Sequence, residues 1–244
     1  MKIFIDSAHL SDIEEALKRG FLQGITTNPS LLSKEPKGSF EGHVEKIVAL
    51  IKKYRPGIHL SVEVFSRDTE EILKQAREFV RQFNYPQISI KVQIGWNELE
   101  TIRQLSAEGI SVNCTACMTI SQAILAIEAG AAYVSLFWGR IRDGGVEESV
   151  TAVRDELKKK NALDAKDFDP AFVTQSVRQI IDRDKSNTQI IIGSIRSVAD
   201  IRDAALAGAH IATVPPKFFP DMVQHFKTDQ VVQQFLSDFK GWLS

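Results

Sequence analysis

Short apolar runs and amphipathic runs take turns along this chain from end to end, and that alternation restricts the fold more than any other feature. The strand-like runs are Lys2 to Asp6, Gly24 to Thr27, His59 to Phe65, Ile88 to Ile94, Ile110 to Cys114, Tyr133 to Trp138, Gln189 to Gly193 and His210 to Val214. Helical patterns follow them at about Ser11 to Arg19, Phe40 to Tyr54, Asp68 to Phe83, Asn97 to Glu108, Thr119 to Ala129 and Val198 to Ala207. Ser11 and Glu14 have the spacing of a capping box for the first of these. Strands that alternate with helices form a parallel sheet, and eight of them close into a (β/α)8 barrel. An open doubly wound sheet is the competing architecture, but no glycine-rich phosphate loop follows the first strand. The expected fold is therefore a TIM barrel, a single domain over residues 1–244. Lys217 to Phe226 reads as a further helix, and Gln230 to Leu243 as an extra C-terminal one. The connection between the sixth and seventh strands, about residues 140–188, is enlarged, with a charged helix near Val146 to Lys159 and a crossover helix near Pro170 to Arg183.

Composition narrows the function classes. Thirty Lys and Arg against 31 Asp and Glu give a net charge of −1 without a long basic block, so no nucleic-acid surface is expected. No apolar run approaches membrane-spanning length, and the N-terminus begins directly with a strand, so a cytoplasmic protein is expected. Cys114 and Cys117 have C-x-x-C spacing, but the five histidines are scattered along the sequence. Two reduced cysteines near a strand end are expected rather than a metal site.

The fourth strand contains the most informative residue. Its alternation sends Ile88, Ile90, Val92 and Ile94 to one face and Ser89, Lys91 and Gln93 to the other. On its own this describes either an edge strand whose lysine meets water or an interior lysine poised as a nucleophile. The other strands decide between the two. In a (β/α)8 barrel the active site gathers at the C-terminal ends of the strands, on their inner face. Applying the same parity puts Asp6, Asn28, Glu63, Lys91, Thr115 and Ser135 there, from six successive strands.

A confined amine among carboxylates and hydroxyls is an inventory for Schiff-base chemistry on a polyol. Lys91 would attack a ketone and turn it into an electron sink, while Asp6 or Glu63 takes the proton released as a neighbouring C–C bond breaks. Glu63 and Thr115 are a candidate pair for holding a proton-shuttling water, and Asn28 and Ser135 for binding ketose hydroxyls. Arg140 after the sixth strand, with Ser194 and Arg196 after the seventh, forms a candidate anion site. A non-catalytic sugar-phosphate-binding barrel is a different class, and an uncompensated buried lysine argues against it.

These residues, together with the runs Gly24-Ile-Thr-Thr27-Asn28-Pro-Ser-Leu and Ala129-Gly-Ala-Ala-Tyr-Val-Ser135-Leu-Phe137-Trp-Gly-Arg140, resemble the short form of the transaldolase family, which includes fructose-6-phosphate aldolases. The resemblance implies a cofactor-free transfer of a dihydroxyacetone unit between sugar phosphates. It makes Lys91 the Schiff-base lysine, Asp6 the acid/base, and Glu63 and Thr115 the holders of the catalytic water. Asn28, with Thr27, Ser135 and Phe137 beside it, binds the dihydroxyacetone part; Arg140, Ser194 and Arg196 bind the phosphate. It also implies a homo-oligomer, a ring-shaped pentamer or decamer, with the C-terminal helix packed on a neighbour. Glu63 and Phe137 stand where aldolases of the family tend to have glutamine and tyrosine, which favours transfer over simple cleavage. Gln93 and Gly95 depart from the family's usual proline and threonine. Gln93 lies on the Lys91 side of its strand, so a ketose ending in a sulfonate enters as an alternative substrate.

Overall fold

The computed structural model describes residues 1–243. Its strands are β1 (Lys2–Asp6), β2 (Gly24–Thr26), β3 (His59–Glu63), β4 (Ile88–Gln93), β5 (Val112–Cys117), β6 (Tyr133–Phe137), β7 (Gln189–Gly193) and β8 (Ile211–Val214). Each pairs in parallel with its sequence neighbours, and β8 pairs with β1, so the eight form a closed barrel in sequence order. The helices are α1 (Leu10–Lys18), α2 (Pro29–Leu32), α3 (Phe40–Tyr54), α4 (Thr69–Phe83), α5 (Trp96–Ala107), α6 (Ile120–Glu128), α7 (Trp138–Val146), α8 (Thr151–Lys159), α9 (Pro170–Asp184), α10 (Val198–Leu206) and α11 (Phe226–Leu243). The architecture is the expected (β/α)8 barrel with an additional C-terminal helix.

Period-two alternation divides each strand between two environments. Outward side chains such as Ile5, Ile25, Leu60, Val62, Ile90, Val92 and Cys114 join the helices in one apolar layer. Inward ones fill the barrel: Phe4, Tyr133, Ile191 and Ile211 make a small apolar plug near the N-terminal ends. Above the plug the filling is polar. Thr26 donates to Asp6 at 2.9 Å and meets Thr213 at 2.6 Å. Ser135 donates to Asn113 at 2.7 Å, and Asn113 donates to Ser61 at 3.1 Å.

Several sequence expectations need correction at element ends. Residue His9, not Ser11, caps α1, and no side chain closes a capping box; the Ser11 hydroxyl instead meets the His9 ring at 3.0 Å inside the first turn. The helix expected over Lys217 to Phe226 is two 3-10 turns, Pro216–Phe218 and Asp221–Val223. Pro220 has no N–H to give an α-helix there and ends the first turn, so α11 starts only at Phe226. Strand β5 runs to Cys117 rather than Cys114, with Ala116 at a positive φ of 60° where the pairing with β6 shifts register. The charged helix begins at Thr151, because α7 already occupies the residues immediately after β6. Cys114 and Cys117 are buried, free thiols with sulfurs 3.8 Å apart. Among the described residues no helix is long and apolar enough to cross a membrane, and no group of three or more His, Cys, Asp or Glu is arranged to hold a metal ion.

Candidate active site

Lys91 is 5% exposed. Its register partners are Glu63 on β3 and Asn113 on β5, so both neighbouring strands present polar groups to it. The ammonium donates to a Glu63 carboxylate oxygen at 2.6 Å and to the backbone carbonyl of Thr27 at 2.8 Å. The lysine is thus not an uncompensated charge, which corrects the sequence reading. A buried cation without a counter-charge would cost several kcal/mol, and Glu63 offsets that.

Asp6 closes the group from β1. Burial pushes its carboxyl above the ordinary range; the Lys91 charge and hydrogen bonds from Thr26 and Asn28 oppose this, and the Glu63 charge adds to it. Asn28 is also a helix cap, because its side-chain oxygen accepts the Leu31 N–H at 3.1 Å at the start of α2. The sequence Asn28-Pro29 suits this, since proline at the first helical position lacks an N–H that would otherwise be unsatisfied.

Two hydroxyls in this region, those of Thr27 and Thr115, are buried without any hydrogen-bond partner. A buried hydroxyl without a partner is destabilising by about 1–3 kcal/mol. Ser135 is engaged with Asn113, and Phe137 has its ring against Gly193 across the β6–β7 pair. Within the barrel interior, Asn113 and Thr26 are the polar residues that sequence reasoning did not single out. Both lie at inner-face positions two residues before or beside the recognised ones, so strand parity contained the signal.

At the rim, Gln93 is engaged with the segment after β3 and with α5. Its amide nitrogen donates to the Ser66 carbonyl at 2.9 Å and reaches the Glu98 carboxylate at 3.3 Å. Glu98 is buried under the first turn of α5 and is paired with exposed Arg67 at 3.4 Å. A side chain at Gly95 would collide with that carboxylate. Gln93, Gly95 and Glu98 are one packed unit.

The candidate anion-site residues follow β6 and β7, which are neighbours in the barrel. The Gly139 N–H donates to the Ser194 carbonyl at 3.1 Å, and Ser194 is held at φ 56°. A methyl group at Gly139 would stand 2.6 Å from the Arg196 guanidinium, so glycine is what lets that side chain lie across the turn. Arg140 is exposed and makes no ion pair with the described residues. Arg196 is not free: both its terminal nitrogens bind Asp143. Buried Asp200 fixes the backbone beneath, accepting from the N–H groups of Arg196 at 2.9 Å and Ser197 at 3.1 Å and from Arg142 at 3.0 Å. Burial alone would raise the Asp200 carboxyl, but these donors outweigh it and hold it below the ordinary range. No local pattern announces the Asp143 contact, because its two partners are 53 positions apart.

The chain is similar to known proteins along nearly its whole length. A probable transaldolase of Alkaliphilus metalliredigens is 38% identical over 244 residues, covering 99% of both chains. A probable transaldolase of Dehalococcoides mccartyi is 35% identical over 241 residues, again covering 99% of both, and probable transaldolase 2 of Bacillus anthracis is 34% identical over 240 residues, covering 98% of this chain and 97% of that one. The family profile described as transaldolase/fructose-6-phosphate aldolase matches residues 3–242, and the chain belongs to that family.

Proposed function

We propose that the protein is a Schiff-base transaldolase that moves a dihydroxyacetone unit from a ketose phosphate such as fructose 6-phosphate to an aldose phosphate. The observation that carries this reading is the Lys91–Glu63 pair at 2.6 Å with Asp6 within electrostatic reach of both. In the proposed reaction Glu63 takes a proton from Lys91, and the freed amine attacks the ketone carbon to give a carbinolamine. Water leaves with a proton returned from Glu63, through a water held against the unpartnered Thr115 hydroxyl, and an iminium forms. Asp6 accepts the proton of the hydroxyl on the carbon that departs. The C–C electron pair flows into the iminium, the aldehyde leaves, and an enamine remains on Lys91. The acceptor aldehyde then takes up that pair as Asp6 returns its proton, and hydrolysis frees Lys91.

Asn28 and Ser135 hold hydroxyls of the bound fragment, with Thr27 and Phe137 lining it, and Gln93 braces the rim. The terminal phosphate lies against Arg140, Ser194 and Arg196, displacing Asp143 from Arg196. The chemistry needs no metal or cofactor. The protein works in the cytoplasm as a homo-oligomer, a ring of five subunits or two such rings. What supports assembly is α11, on which Phe235, Leu236, Phe239 and Trp242 are all exposed.

Transfer is distinguished from cleavage by following products of fructose 6-phosphate with and without erythrose 4-phosphate. A transaldolase releases free dihydroxyacetone slowly without acceptor and forms a seven-carbon ketose phosphate rapidly with it. Rapid dihydroxyacetone release that acceptor does not alter identifies an aldolase instead.

A further inference from the structure

A cavity of about 550 Å³ opens at the end of the barrel opposite the candidate active site. Its walls come from β1, β3 and β6 and from the segments that lead into β2, β3 and β4. The floor is aromatic: Phe4 stacks on His59 with centroids 5.0 Å apart, and Tyr133 meets His59 edge-on at 4.7 Å. Lys2 and Arg55 stand in the wall, and neither pairs with a carboxylate among the described residues. The Arg55 side chain donates only to the Leu22 carbonyl, at 3.3 Å, among the described residues. Two cations in one concavity repel unless solvent or an anion lies between them.

His59 gives the cavity a defined donor. The Ser135 hydroxyl donates to the Asn113 side-chain oxygen, which turns the Asn113 nitrogen toward Ser61. Ser61 accepts from that nitrogen, and its own proton has no acceptor among the described residues other than His59 Nε2, 2.6 Å away, so the arrangement that satisfies this buried hydroxyl has Ser61 donating to the ring. Burial, with the charge of Lys2 adding to it, lowers the His59 pKa to about 3, and the ring is neutral at physiological pH. A neutral imidazole that accepts at Nε2 bears its hydrogen on Nδ1. Nδ1 has no partner among the described residues, and the ring lines the cavity.

We propose that this cavity binds a small phosphate-bearing dianion between Lys2 and Arg55, with His59 Nδ1–H donating to it, and that the chain His59–Ser61–Asn113–Ser135 relays its occupancy through the barrel to the catalytic end. A dianion matches the two cations, and its oxygens accept from all three donors. The relay rests on the role given to Ser135 above; the binding does not.

Binding is tested by calorimetric titration of inorganic phosphate into the full chain bearing Arg140→Ala and Arg196→Ala, which disables the anion rim of the catalytic end. The expected result is saturable binding of one phosphate per chain, weakened about tenfold or more by adding Arg55→Gln or Lys2→Ala, in keeping with loss of one charge-assisted bond. Circular dichroism and melting show whether each variant is folded, and the two variants report independently. Absence of saturable binding, or binding unchanged by both substitutions in folded protein, overturns the site. The relay is tested in the otherwise unaltered enzyme, where phosphate at the rim competes with substrate and raises KM. Phosphate at the rear cavity is expected to change kcat as well, and Ser61→Ala is expected to abolish the kcat effect while leaving the KM effect. Phosphate acting on KM alone, or on kcat equally in Ser61→Ala, overturns the relay while leaving the calorimetric result standing.

Discussion

Lys91 and Arg196 are both cations held by a carboxylate, and their surroundings give the two pairs opposite properties. The Lys91 and Glu63 side chains are 7% and 19% exposed, inside a barrel whose strands fix both partners. The Arg196 and Asp143 side chains are 45% and 28% exposed, on elements separated by a long connection. A pair with little access to water is hard to break from one side, because the remaining charge is left without solvation. A pair open to water contributes about 0–1 kcal/mol and exchanges easily for another ion. The first arrangement suits a nucleophile that must keep its place through several covalent steps. The second suits the proposed anion clamp, in which a phosphate would take the place of Asp143 on Arg196.

The contrast is open to experiment. The largest effect is expected from Lys91→Met: loss of activity by a factor of about 10⁴ or more, as for removal of a covalent nucleophile. It also strands Glu63, lowering stability by about 3 kcal/mol in denaturant unfolding. Adding Glu63→Gln recovers most of that stability without recovering activity. If the single variant is as stable as the parent, the pair is not the rigid unit described.

Asp6→Asn comes next, with kcat lowered about 10²- to 10⁴-fold as for a general acid/base. Its effect on stability has the opposite sign. The folded-state pKa of Asp6 is raised, so its contribution is favourable below the ordinary carboxylate pKa and is lost as pH rises through the folded value. The variant has no such loss. The melting temperature of the variant minus that of the parent should therefore increase as pH rises from acid towards neutral, and a difference that decreases instead would show that the Lys91 charge outweighs burial at Asp6.

Substitutions at the exposed pair should act on binding. Arg196→Ala is expected to raise KM about 10- to 100-fold with a smaller change in kcat, matching one charge-assisted hydrogen bond. Asp143→Asn should lower KM severalfold by releasing Arg196, a gain that shrinks at high salt. An Asp143→Asn enzyme with raised KM would mean that the carboxylate positions the arginine rather than competing for it.

The same contrast explains what was legible in the sequence. Inner-face parity placed Lys91, Asp6, Glu63, Thr115 and Ser135 inside the barrel because a strand's period of two leaves no freedom about which side a residue takes. It did not reveal that Glu63 touches Lys91, since that depends on register between strands. The Asp143–Arg196 contact was invisible for a different reason: it joins two exposed side chains on a helix and a loop, where no periodicity constrains direction. Glu98 was overlooked because a carboxylate in the first turn of a helix normally faces water, and only the missing side chain at Gly95 makes room for it to be buried. At the C-terminus, the apolar pattern of residues 217–226 read as a helix, while Pro220 within it decided otherwise.

Everything in the proposed chemistry depends on Lys91 forming the covalent link to substrate. Incubation with fructose 6-phosphate, reduction with borohydride and peptide mapping by mass tests it directly. A single reduced adduct is expected on the peptide containing Lys91, absent from Lys91→Met. An adduct on another lysine, or turnover of fructose 6-phosphate with no trapped adduct, would contradict it.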